Sequence, residues 1–87
     1  MKTYIVTYDL NNETKRPDIL SEIQQGLWAK LSESSYAIAT DETVQEVYGR
    51  LEPFLDGDDN LYVLTLSRPY WGRGPDEVNE WLAENVQ

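Results

Sequence analysis

The sequence predicts an α+β domain in which helices cover a single antiparallel sheet. Three observations predict it. Strand-like stretches lie at 2–8, 27–40 and 61–67, the first with clear apolar–polar alternation. Between and after them, apolar residues recur every three or four positions, the spacing of a helix face. The elements follow one another as strand, helix, strand, strand, helix, strand, helix. With 87 residues the chain suits one domain, residues 1–87, and no more. A domain this small buries only about 60–65% of the surface its unfolded chain exposes, so self-association is a natural remedy.

The first strand alternates, with Tyr4, Val6 and Tyr8 on one face and Thr3, Ile5, Thr7 and Asp9 on the other. Asn11, Asn12, Glu13 and Thr14 make a turn. Pro17 and Asp18 suit a first helical turn, and Ile19, Ile23 and Leu27 recur every fourth residue. A helix over Arg16–Gln25 ending at Gly26 follows. "LWAKLSESSYAIAT", 27–40, reads as two short strands about Glu33 and Ser34. Thr43 and Glu46 fit a capping box, and Val44, Val47, Tyr48 and Leu51 form the apolar stripe of the helix behind it. Pro53 ends that helix. "LYVLTLS", 61–67, is a strongly apolar strand. "RPYWGRG" is a loop, and Pro75, Asp76 and Glu77 open a last helix that runs to about Asn85. Val78, Trp81, Leu82 and Val86 form its apolar side, and Trp28 and Trp81 are expected in the core.

The first six elements are the ferredoxin-like βαββαβ arrangement, with a four-stranded antiparallel sheet and two helices on one face. Its core spans about residues 2–67, and the loop and helix at 68–87 are an addition. The opposite sheet face and the added helix are where a partner would bind.

Composition excludes several kinds of chemistry. With no cysteine there is no disulfide framework, and with no histidine the commonest general base and zinc ligand are missing. No apolar run approaches the ~20 residues of a membrane span, and "MKTY" leads directly into alternating sequence rather than a signal-peptide core. A soluble cytoplasmic protein is expected. Sixteen acidic and seven basic residues leave a net charge of −9. Such a chain repels phosphate overall, which argues against non-specific nucleic-acid binding.

Three stretches invite a functional reading. Asp9 ends the first strand and is either a turn residue or a metal ligand. "DGDDN", 56–60, superficially resembles a calcium loop, but Leu61 and Ser67 stand where glycine and glutamate are needed, so a turn is expected. Arg68, Tyr70, Trp71 and Arg73 gather cations and aromatics. They could contact a partner or stack on single-stranded nucleic acid. The simpler role is for Tyr70 and Trp71 to pin the last helix while the arginines pair with local acids. Ser34, Ser35 and Tyr36 read as ordinary strand residues.

"TYIVTYDLNN" with its strand-ending aspartate, followed by a helix and "KLSESSYAI", resembles the small CRISPR-associated adaptation proteins. Over residues 1–67 the chain is similar to these ferredoxin-fold homodimers, which partner the integrase and some of which are metal-dependent nucleases. The virulence-associated D toxins share the frame. "KLSESSYAIATD" and "RPYWGRGPDEVNEWL" look like the SinR-like subgroup. The resemblance implies that Asp9 approaches its twin across a dimer axis, where Mg2+ or Mn2+ could bind and Asp9 would be catalytic. The first helix departs from many nuclease members in having only Lys15 and Arg16 rather than a run of arginines. Three functions follow as expectations: a homodimeric interaction module related to nucleic-acid defence and without strong catalysis, a metal-dependent RNA or DNA endonuclease using paired Asp9, or an acidic inhibitor seated in a partner's basic groove.

Overall fold

The computed structural model describes all 87 residues. Strand β1 (Lys2–Asp9) leads through a 3-10 turn at Glu13–Lys15 into α1 (Arg16–Ile23). Strands β2 (Leu27–Ser32) and β3 (Ser35–Thr40) follow, then α2 (Val44–Leu51) with a 3-10 turn at Glu52–Phe54, β4 (Asn60–Thr65) and α3 (Asp76–Asn85). The sheet order is β2-β3-β1-β4 with every pair antiparallel. This is the ferredoxin-like α+β arrangement, and β1 lies inside the sheet between β3 and β4.

Local chemistry explains most boundaries. The Asn12 side chain accepts the Thr14 N–H at 3.0 Å, and Pro17 occupies the first turn of α1. That helix ends at Ile23, short of Gln25, and Gly26 has no positive φ, so the turn does not depend on a glycine there. The capping box of α2 is complete, with the Glu46 N–H donating to Thr43 Oγ1 at 3.1 Å and the Thr43 N–H donating to Glu46 Oε1 at 2.9 Å. Pro53 sits in the 3-10 turn that closes α2. Pro75 is the N-cap of α3 rather than its first helical residue.

Helices α1 and α2 cover one sheet face. Tyr4, Val6 and Tyr8 of β1 pack there with Tyr36 and Ile38 of β3, Leu61 of β4, Ile19 and Ile23 of α1, and Val47 and Leu51 of α2. The two β1 tyrosines carry hydroxyls into this core, and both are satisfied: Tyr4 donates to the Glu42 carbonyl at 2.6 Å and Tyr8 to that of Glu33 at 3.2 Å.

The second face is half covered. Helix α3 packs against β2, and the small side chains Ala29, Ala37 and Ala39 on that side are buried. Thr3 Oγ1 donates to the Asn85 carbonyl at the end of α3. The β4 side stays open, with Tyr62 62% and Leu64 50% exposed. The tryptophans are not core residues as the sequence suggests: Trp28 lies on the edge strand β2, opposite Ile38 on the first face, and Trp81 lies on α3 over the β2 side of the second. Trp28 is 40% exposed beside the Tyr36 ring, and Trp81 is half-buried.

Candidate functional site

Asp9 closes β1 opposite Asn60 of β4. Register places it on the second face, with Thr7 and Ile5 and away from Tyr4, Val6 and Tyr8, as alternation predicts. Its carboxylate is exposed and in no ion pair. No group of three or more acidic side chains within the chain could hold a metal ion. One carboxylate is too few for Mg2+ or Mn2+ on its own, since such ions take one or two carboxylates together with waters or substrate. A metal at Asp9 would therefore need ligands from outside the subunit.

The cation–aromatic cluster divides in two. Arg68 is turned toward α3: its Nη2 donates to the Ala83 carbonyl at 2.9 Å and its Nε to that of Val86 at 3.1 Å. These are carbonyls that a helix C-terminus leaves unpaired, so Arg68 serves as a cap rather than as a partner of local acids. The Arg68 N–H donates to the Gln87 carbonyl at 2.7 Å, and its guanidinium lies 5.6 Å from the centre of the Tyr70 ring. Tyr70, Trp71 and Arg73 instead line a cleft of about 280 Å³ between the second face and α3, closed on its other sides by Ile5, Leu66 and Val78. Trp71 is fully exposed, so it pins nothing. Arg73 pairs with no acid. Lys15, Arg16, Lys30 and Arg50 all hold carboxylates, and Arg68 holds carbonyls. That leaves Lys2 and Arg73 as the cations without a partner. Asp9 does not line the cleft.

The "DGDDN" loop is a turn built around a lysine. Lys15 Nζ lies 2.6 Å from Asp56 and also binds Asp59, whose side chain is wholly buried. Asp59 further accepts the backbone N–H of Asp56 and that of Asn11, each at 2.8 Å. The ammonium thus stands between the two carboxylates that a cation would need. Nothing in the sequence announces this pairing, because Lys15 and Asp59 are 44 residues apart.

The Asp56 amide, then the Lys15 ammonium, then the Asn11 amide hold the Asp59 carboxyl down to about 2. A depressed carboxylate pKa contributes stability that is complete above its unfolded value, about 3.9, and is lost as pH falls through the folded value. We expect the stability advantage of the wild type over Asp59→Asn to shrink between about pH 4 and pH 2 and to vanish below. Urea midpoints of both proteins across that range measure it, and a pH-independent difference would show that the ion pair is not its source.

Fold and site together define a small ferredoxin-like domain with a half-open sheet face, an isolated strand-ending aspartate and a rim of apolar side chains. No protein-family model and no curated protein matches the chain. Its fold is similar to that of the crystal structure of a hypothetical protein, TT1823, from Thermus thermophilus, with a TM-score of 0.68 and 24% identity over 85% of this chain and 94% of that one. That likeness shows the fold alone.

Proposed function

We propose that the protein is a homodimeric interaction module of the kind found in nucleic-acid defence, acting through the surface it presents and without strong catalysis of its own. The carrying observation is apolar surface left open on a strongly acidic chain. Leu31, Tyr62, Leu64 and Trp71 are all exposed, while the chain carries a net charge of −9. Tyr62 and Leu64 are neighbours on the open side of β4, and Leu31 and Trp71 line the cleft beside α3; adjoining apolar side chains left exposed mark partner sites. The −9 charge favours a protein partner over a bare phosphate backbone, and the adaptation-protein resemblance supplies the setting.

A second reading rests on Asp9. Its exposure is compatible with a Mg2+- or Mn2+-dependent nuclease in which each of two copies supplies one carboxylate. Light scattering at tens of micromolar, with and without millimolar Mg2+, on wild type and Asp9→Asn, separates the readings. We expect a dimer insensitive to metal and to the substitution, and no cleavage of RNA or DNA. A wild-type monomer would refute the module reading. A dimer that metal tightens only in the wild type, with chelator-sensitive cleavage, would assign the nuclease instead.

A further inference from the structure

The two edges of the sheet are built differently. Strand β2 carries Lys30 at its centre, and its pairing with β3 is irregular between Lys30 and Ser32. A charge and an irregularity are the usual protections of an edge against pairing with another chain. Strand β4 has neither. From Asn60 to Ser67 there is no charged residue and no proline, and its register with β1 is unbroken from Asp9↔Asn60 to Tyr4↔Thr65.

The backbone shows what the edge offers. The Leu66 N–H donates to the Thr3 carbonyl at 2.9 Å. In an antiparallel ladder, alternate residues bond to the same neighbour, so Tyr62 and Leu64 bond to β1 as Leu66 does. The N–H and C=O groups of Leu61, Val63 and Thr65 then point outward, where β4 has no neighbour. Apolar surface flanks this row on both sides. Exposed Tyr62 and Leu64 lie on the second face, and Val44 and Tyr48 of α2 form a groove with Leu61 and Val63 on the first.

We infer that β4 pairs antiparallel with β4 of a second copy of this chain, joining two four-stranded sheets into one of eight strands. Twofold symmetry makes edge pairing of identical strands antiparallel. Charge favours the same arrangement. The strand is entered past Asp58, which is exposed and in no ion pair, and left through Arg68, which stays exposed while it caps α3, so the acidic end of one copy meets the basic end of the other. Centred on Val63, the register sets Leu61 against Thr65 of the second copy and Asp58 beside its Arg68. This inference rests on the homodimer reading and names its surface. It also separates the two Asp9 carboxylates. Each lies one strand inside the edge and three residues from the centre, which places them about 20–25 Å apart at ordinary strand spacings, too far to share a metal.

The test uses Thr65→Pro and the amides themselves. Thr65 is exposed and its N–H faces away from β1, so proline there spares the internal ladder. Sedimentation equilibrium should show the wild-type dimer weakened on the order of tenfold or more, because symmetry removes the bond twice, with the far-ultraviolet spectrum retained. Amide exchange on the wild type gives a reading that does not depend on the variant folding. The amides of Leu61, Val63 and Thr65 should gain protection as concentration rises through the dimer range, while those of Tyr62 and Leu64 are protected throughout. A dimer in which the three outward amides exchange freely, or which Thr65→Pro leaves unchanged, would overturn the edge assignment and leave the homodimer reading standing. A monomer at all concentrations would overturn both.

Discussion

Leu51→Ala is expected to move the urea unfolding midpoint of the protein far down. Leu51 is 1% exposed in the last turn of α2 and packs in the core between the helices and the sheet. Truncating a buried leucine costs about 2–5 kcal/mol, with the upper values where the surroundings cannot collapse into the cavity. Here the neighbours are side chains such as Val47, fixed on a helix, and Val6, fixed on an inner strand. A domain of this length has roughly 4–13 kcal/mol in total, so one such loss consumes a large share. Urea denaturation should show the shift, and Tyr48→Ala, at a 37% exposed position of the same helix, should shift the midpoint far less. Equal shifts would mean that the two positions are equally buried in solution.

Arg50→Ala should be the most damaging change to a charged residue. Its Nε and Nη2 donate to the two carboxylate oxygens of Glu42, each at 2.9 Å, and Nη1 donates to the Glu22 carbonyl at 3.0 Å. One side chain thus ties the end of α1 to the loop entering α2. Arg50 is 28% and Glu42 31% exposed, so part of the loss is recovered by water, and we expect about 1–3 kcal/mol. Lysine should not rescue it, because an ammonium cannot make the two parallel bonds of a guanidinium fork. The hydrogen bonds from Arg50 hold the Glu42 carboxyl below the usual carboxylate range. The pair therefore contributes in full at neutral pH and loses its effect as acid carries Glu42 through its lowered value. A double-mutant cycle with Glu42→Gln isolates the coupling, and a coupling near zero would show that Arg50 acts only by packing.

Where the sequence was legible, the signal was local. Alternation in β1, the Thr43–Glu46 capping box and the turn at Glu33–Ser34 each depend on residues close together in the chain, and each is found in place. Asp9 falls on the expected face for the same reason, since strand period alone decides it. What escaped depends on distant residues. The burial of Asp59 needs Lys15 from across the fold. The role of Arg68 needs the end of α3, which lies 15 to 18 residues later. The exposure of Trp28 depends on β2 being an edge of the sheet, and that of Trp81 on where α3 lies across it, neither of which local periodicity can specify. The bare β4 edge was visible as an uncharged run, but its meaning appears only once the strand order makes it an edge.

The inner position of β1 has a consequence for how the chain comes to be folded. The first strand synthesised is paired on both flanks, on one side by residues 35–40 and on the other by residues 60–65. It also receives its last contact, at Thr3, from Asn85. While the chain emerges, β1 must wait for partners made much later, and only the β2–β3 hairpin can close early. Folding dominated by such distant pairings is slower than that of a helical bundle of equal length, falling toward milliseconds rather than microseconds. Throughout that delay the apolar sequence of β1 is unpaired, which makes the nascent protein more dependent on its surroundings than the finished one.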